Sequence, residues 1–258
     1  TSLKLDFRDI GRMHAIIEIL GRDFLTAMPE GAYKARLGQI AFLYRRVHED
    51  LTAPGIKSFL DTAQEHQYAH PDEWDEWDAA NLREMSNMYL MYCCVEPELM
   101  EKKARLSYLG RRRHSEIKKS GDWNTAKRFL KEQIDLHRQI AAARCEATGE
   151  TSHYQMLLQE YMPSMTVFEI ENLFSTHEQA LKGLLPKIMA KQKEQKSPLP
   201  LEPAYDSEGQ MWLNRSMLEV IGFDFERGGL YETGHNPVEG GTPEDTRLVI
   251  YNVGESDF

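Results

Sequence analysis

The chain has 258 residues and a formal net charge of −10, and its 41% apolar and 28% charged residues are ordinary values for a globular protein. This length fits one large domain or two ordinary ones, and the acidic balance argues against nucleic-acid binding, which depends on clustered Lys and Arg. No apolar run approaches the ~18–20 residues needed to cross a bilayer, so we expect no membrane partner either.

The N-terminus and the cysteines indicate a cytoplasmic setting. Residues 1–12 carry charges where a signal peptide would need an apolar stretch. Cys93, Cys94 and Cys145 are an odd number and show no C-x-x-C metal spacing, so they predict neither a disulfide framework nor a zinc site. Free thiols of this kind are typical of a reducing compartment.

The negative charge is concentrated in the last 62 residues. Residues 197–258 hold 12 acidic residues against three arginines and no lysine, a net charge of −9, with eight of the 17 glycines and five of the 11 prolines. The change begins at Ser-Pro-Leu-Pro, residues 197–200, which is typical of a linker or long loop. We therefore predict a helical region at 1–196 and an acidic, Gly- and Pro-rich region at 197–258, and we expect weak order in the second.

The first region reads as a series of amphipathic helices, in which apolar residues recur every three or four positions. Pro71, Pro97 and Gly149 mark three of the helix boundaries. The strongest start signal is Thr166-Val167-Phe168-Glu169, a capping box. In the helix that follows, seven apolar residues share one side, and Pro186 predicts a kink or break. These seven are Ile170, Leu173, Phe174, Leu181, Leu184, Leu185 and Ile188.

The second region has a different pattern. Residues 211–221 predict a short helix, Gly-Gly pairs at 228–229 and 240–241 predict turns, and the β-branched run at 247–253 predicts a strand. The predicted fold class is therefore all-α, a helical bundle with a short strand or hairpin near the C-terminus.

Three stretches could carry chemistry. His66 and His70 stand four residues apart on one helix face, a spacing that can hold zinc, but Gln67 replaces the Glu that a metalloprotease needs as its general base. Two surface histidines at a helix end are the simpler interpretation. His177-Glu178 begins like an H-E-x-x-H motif, but Leu181 stands where the second His would be. That stretch is an ordinary amphipathic helix.

The third stretch runs from His235 to Arg247 and surrounds a Gly-Gly-x-Pro loop with an imidazole, carboxylates and a guanidinium. Arg247 could bind a carboxylate through two hydrogen bonds, and Asp245 could orient it. The stretch is typical either of a substrate-binding loop or of a surface turn with a local Asp–Arg pair. Spacing alone leaves both interpretations open.

Five segments together resemble the carboxypeptidase Taq family of HEXXH metallocarboxypeptidases. They are an Asp, Met-Pro-x-Gly and Gln series at 23–39, a Tyr-Gln-x-Leu-Leu-x-x-Tyr and Met-Thr pair at 154–166, Gly-Phe-Asp-x-x-x-Gly at 222–228, His-Asn-Pro at 235–237, and Asp-x-Arg at 245–247. Two positions depart from the family pattern. The family's His-Pro-Phe is His235-Asn236-Pro237 here, and the Thr of Asp-x-Arg-x-Thr is Val249.

The resemblance implies a fold and an activity. Family members are homodimeric enzymes that release C-terminal amino acids from peptides with zinc or another divalent metal. It implies substrate-binding roles for His235, Asp245 and Arg247, with 1–196 as the lid and dimerisation part. The metal-binding HEXXH helix follows the Asp-x-Arg-x-Thr strand in the family, and these 258 residues contain no HEXXH.

Two functions therefore remain open. The first is a truncated N-terminal half of such an enzyme, with no catalytic residue or metal ligand of its own and no activity by itself. The second is a non-catalytic helical module that keeps the peptidase scaffold for interaction or dimerisation.

Overall fold

The computed structural model describes residues 2–196, 206–233 and 238–251, and within them the chain is predominantly helical, as predicted. The helices are α1 (Ser2–Leu25), α2 (Tyr33–Leu51), α3 (Pro54–Ala69), α4 (Glu76–Cys93), α5 (Pro97–Ser120), α6 (Trp123–Thr148), α7 (His153–Leu158), α8 (Val167–Glu194) and α9 (Ser207–Val220). The described helices include none that is long and apolar enough to cross a membrane. The predicted 197–200 linker lies outside the described residues.

Helices α1–α7 pack into a bundle. Helix α2 contacts α1 and α5, α3 contacts α4, and α6 lies between α5 and α7. The apolar faces that the sequence predicts are the faces that meet. Their most deeply buried members include Ile10, Ile40, Val47, Leu136 and Ile140, each no more than 1% exposed.

The helix boundaries follow the punctuation in the sequence. Pro54 and Pro97 each occupy the first turn of a helix. Backbone N–H groups in the first turn have no intrahelical acceptor, so a proline there removes no hydrogen bond. Helix α6 ends at Gly149, whose φ of 76° is the left-handed conformation that glycine adopts most easily.

A buried ion cluster joins four parts of the bundle. Arg144 of α6 is 1% exposed and donates from Nη1 to Glu160 at 2.5 Å, and from Nε and Nη2 to the carbonyl of Met91 at 3.2 and 3.0 Å. Lys103 of α5 donates to the same Glu160 carboxylate at 2.7 and 2.8 Å. Each charge is therefore paired, as a buried charge must be.

Helix α8 begins with the predicted capping box and then differs from every helix of the bundle. Thr166 and Glu169 exchange side-chain to backbone hydrogen bonds, which confirms the start. Of the kink or break that Pro186 predicts, the break does not occur, because the helix continues through Pro186 to Glu194. A proline removes the hydrogen bond of its own nitrogen, and the neighbouring bonds of a long helix keep it continuous. No side chain of α8 is buried.

The described part ends in a three-stranded sheet of β1 (Gly228–Thr233), β2 (Val238–Thr242) and β3 (Asp245–Tyr251), in the order β1-β3-β2. Strand β3 pairs antiparallel with β2, forming the predicted hairpin, and parallel with β1. The sequence predicted the Gly-Gly pairs as turns. Both instead lie within strands. At Gly228 and Gly229 a Cβ would lie within 3 Å of neighbouring atoms, so these strand positions require glycine.

Candidate functional site

The sheet brings the predicted Asp245 and Arg247 side chains onto one face. Side chains alternate along a strand, so residues two apart in β3 point the same way. Arg247 donates from Nε to the carboxylate of Asp245. Its pairing partner across β1 is Gly229, and a Cβ there would lie 2.7 Å from the ring of Tyr231. Gly229 therefore makes the space in which the Tyr231 ring approaches Arg247.

Tyr231 completes the contacts of this guanidinium. Arg247 donates from Nη1 to the Tyr231 hydroxyl oxygen at 2.5 Å, and its Cζ lies 5.7 Å from the centre of the Tyr231 ring. Nη2 has no hydrogen-bond partner within the described part of the chain. The Arg247 side chain is 32% exposed, so part of it is accessible to a ligand.

The electrostatics of the pair favour an anion. The hydrogen bond from Arg247 holds the pKa of Asp245 below its ordinary value, and the same bond raises the pKa of Arg247. Arg22, near the end of α1, also lowers the pKa of Asp245 through its positive charge. A second guanidinium therefore lies within electrostatic reach of the carboxylate that holds Arg247.

Arg22 is a member of this group that sequence analysis missed. Its Nη1 atom is buried and has no hydrogen-bond partner among the described residues. The approach of Arg22 depends on β2 packing against α1, a contact between residues more than 200 positions apart. The one available signal was its position beside Asp23, the first residue of the N-terminal motif. We call Arg22, Tyr231, Asp245 and Arg247 the Arg247 cluster.

The other motifs of the resemblance form connected hydrogen bonds. At the N-terminal motif, Arg36 donates to the carboxylate of Asp23, and its Nε donates to Gln39 at 2.8 Å. At the central motif, Gln155 and Gln159 both donate to the carbonyl of Met165, at 2.8 and 2.9 Å. These motifs hold helix ends in place within the scaffold.

Comparison with known proteins identifies the family of the chain. The chain matches the family model for carboxypeptidase Taq (M32) metallopeptidase over residues 2–256. The chain belongs to this family. It is 27% identical over 233 residues to thermostable carboxypeptidase 1 of Thermus thermophilus, covering 88% of this chain and 45% of that relative. The chain therefore spans about half the length of the curated relative that it matches.

Solved carboxypeptidase structures share the fold. Metallocarboxypeptidase 1 of Trypanosoma cruzi superposes with a TM-score of 0.78 at 25% identity, over 100% of this chain and 50% of its own. The Pyrococcus furiosus carboxypeptidase gives a TM-score of 0.73 at 22% identity, over 99% of this chain and 50% of its own. The match thus runs through α8, α9 and the sheet as well as the bundle.

Of the two departures from the family motifs, the one at Val249 lies within the described residues. Val249, at the position of the family's Thr, is 3% exposed, so here this position contributes an apolar side chain to packing rather than a hydroxyl to a ligand. His235, with Asn236 and Pro237, lies outside the described residues.

The His66–His70 pair lies at the exposed end of α3. The two rings are 4.9 Å apart, and their nitrogens lie 3.7 and 3.8 Å from the carboxylate of Glu73. The indole N–H of Trp74 donates to Nδ1 of His66 at 3.1 Å and so orients that ring. The pair is therefore held by neighbours of its own.

The metal implied by the family does not fit the described side chains. No three His, Cys, Asp or Glu side chains converge on a common point anywhere in 2–196, 206–233 or 238–251. In the Arg247 cluster the carboxylate of Asp245 is bonded to a guanidinium, and two guanidinium groups repel a cation. The arrangement can bind an anion such as a carboxylate.

Proposed function

We propose that this chain forms the substrate-binding part of a metal-dependent carboxypeptidase that releases C-terminal amino acids from peptides. The observation that carries the proposal is the Arg247 cluster, a partly exposed guanidinium held in place by Asp245 and Tyr231 in a member of the carboxypeptidase Taq family. A carboxypeptidase must recognise the free carboxylate at the end of its substrate, and an arginine can do so through two parallel hydrogen bonds.

Each member of the cluster has a part in this recognition. Arg247 binds the carboxylate, Asp245 and Tyr231 fix its orientation, and Arg22 supplies the positive charge that offsets Asp245. His235 is the third substrate-binding residue that the family resemblance implies. Because the guanidinium is held before the peptide arrives, less conformational entropy is lost on binding.

In this proposal, polypeptide with no counterpart in these 258 residues binds the zinc or other divalent metal and provides the general base. The sequence contains no HEXXH, and the chain covers 45% of its Thermus relative. The chain by itself is therefore expected to hydrolyse nothing. We further propose that 1–196 provides the lid and dimer contacts of a cytoplasmic homodimer, and that 197–258 carries the substrate-binding segment. The three free thiols support the cytoplasmic setting.

Binding of matched peptides tests the substrate-binding role on the chain as it is. A short peptide with a free C-terminal carboxylate is expected to bind at least about tenfold more tightly than the same peptide with a C-terminal amide, since the amide cannot form the charged pair. Arg247→Ala should abolish the difference. Arg215→Ala, which alters an exposed arginine of α9, should keep it. Equal binding of both peptides to the native chain would refute the role.

A hydrolysis assay with a zinc titration tests whether the metal and the general base lie outside this chain. We expect no release of C-terminal amino acids and no tight zinc site. Turnover by the chain alone, with zinc bound tightly, would contradict the assignment of the metal to other polypeptide.

The second candidate, a non-catalytic interaction module, is favoured by the exposed apolar face of α8. It would gain support if the chain bound neither peptide.

A further inference from the structure

Helix α8 exposes an apolar face, interrupted near its middle by His177, which we call the α8 stripe. Its members are Ile170, Leu173, Phe174, Leu181, Leu184, Leu185 and Ile188. All but Ile170 are between 42% and 66% exposed. Seven large apolar side chains on one helix face amount to several hundred Å², the size of patch that soluble proteins reserve for a partner.

The helix is anchored at its first turn. Gln155 accepts from the backbone N–H of Val167 at 2.8 Å while donating to Met165, and the capping box closes the same turn. Beyond that turn α8 extends for about 40 Å at 1.5 Å per residue. Most helical stability comes from packing an apolar face. In the described part of the chain nothing buries this one.

The opposite face of α8 is built for water. At about 100° per residue Gln179, Gly183 and Pro186 fall opposite the stripe, and the Glu178–Lys182 ion pair, at 2.6 Å, lies along its edge.

The comparisons indicate what covers the stripe. All of this chain superposes on the Trypanosoma cruzi enzyme, yet that enzyme has as much polypeptide again beyond the superposed half. The stripe lies within the superposed half. We infer that the α8 stripe is the surface on which the other half of the carboxypeptidase Taq fold packs. This inference rests on the proposed function, since it takes the metal-bearing half of the enzyme as the partner.

A binding experiment tests the stripe directly. The probe is the half of the Thermus thermophilus carboxypeptidase that has no counterpart in this chain. The variant Leu181→Asp/Leu185→Asp places two charges in the stripe, and Gln179→Asp/Gly183→Asp places two at the same spacing on the polar face. A Cβ at Gly183 meets nothing within 4 Å, so the control should be tolerated. Neither variant alters a buried residue.

We expect the native chain and the control to bind the probe within about twofold of each other, and the stripe variant to bind at least about a hundredfold more weakly, because charges must lose water in an apolar contact. Equal affinity of the stripe variant would overturn the inference, and so would no binding by the native chain both in this assay and in the linked assay described next. So would a homodimer of the native chain, seen by sedimentation, that the stripe variant dissociates.

A second measurement keeps a weak contact between distant relatives detectable. Joining the chain to the probe by a flexible linker raises their effective concentration to the millimolar range. Amide exchange in α8 of the linked native chain should then be at least about tenfold slower than in the chain alone. The linked stripe variant should show no such slowing. Unchanged exchange would count against docking.

Peptide hydrolysis in the same samples separates the two proposals. Docking without release of C-terminal amino acids would contradict the carboxypeptidase function and leave the docking surface standing. Release of amino acids by a stripe variant that docks as well as the native chain would contradict the docking surface and leave the function standing.

Discussion

The α1–α7 bundle and helix α8 consist of the same kind of amphipathic helix, but only the bundle buries its apolar faces. Leu136 of α6 is 1% exposed, whereas Leu184 of α8 is 52% exposed. Amphipathic periodicity shows that a helix has an apolar face and does not show what covers that face. The difference teaches that a clear helical pattern and a stabilising helix are separate properties.

The largest expected effect is at the centre of the bundle. Arg144→Met should lower the free energy of unfolding by about 3–5 kcal/mol, because it leaves the Met91 carbonyl without its donor and removes one of the two cations that pair with the Glu160 carboxylate. Urea unfolding followed by circular dichroism measures it. Arg215→Met on α9 is the control and should change stability by less than about 0.5 kcal/mol. Equal effects of the two substitutions would remove the distinction between the regions.

A matched pair of leucine substitutions sharpens the same contrast. Leu136→Ala should cost about 2–5 kcal/mol, through lost burial and the cavity it leaves. Leu184→Ala should cost less than about 0.5 kcal/mol, since it removes an exposed side chain from a helix that alanine favours. Both are read from urea midpoints. A loss above about 1 kcal/mol for Leu184→Ala would show that α8 is packed in the isolated chain.

The smallest effect concerns pH. Burial acts to raise the pKa of Glu160, but the charges and hydrogen bonds of Lys103 and Arg144 outweigh it and hold that pKa below its ordinary value. A carboxyl with a lowered folded pKa stabilises the protein above its unfolded pKa of about 4.3 and loses that contribution as pH falls through the folded value. The stability difference between the native chain and Glu160→Gln should therefore shrink between about pH 5 and pH 3.

Unfolding curves recorded across that range test this. The control is Glu219→Gln, which removes an exposed carboxylate of α9 and should give a difference near zero at every pH. A Glu160→Gln difference that stayed constant down to pH 3 would mean that the carboxylate contributes through packing rather than through its charge.

The sequence predicted the local parts of this molecule well. The fold class, the capping box at Thr166, the helix end at Gly149 and the hairpin strand containing Arg247 all follow from rules that act within a few residues. Local rules could not place Tyr231 beside Arg247, because that contact depends on a parallel strand pairing.

Arg144 and Arg22 were missed for related physical reasons. Arg144 falls on the apolar face of α6, four residues after Ile140. Its burial requires the carboxylate of Glu160, which follows α7, and the periodicity of α6 does not reveal that partner. Arg22 meets Asp245 only after β2 packs on α1. A charged residue at an apolar position was the available signal for Arg144.

Native-state amide exchange resolved by residue tests the contrast between the two regions most directly. We predict that amides of α2, α5 and α6 exchange near the rate set by global unfolding, whereas those of α8 beyond its first turn, and of α9, exchange within about tenfold of an unstructured peptide. Protection of α8 and α9 equal to that of α6 would contradict the contrast between the two regions, and would show that α8 and α9 are packed without the partner half.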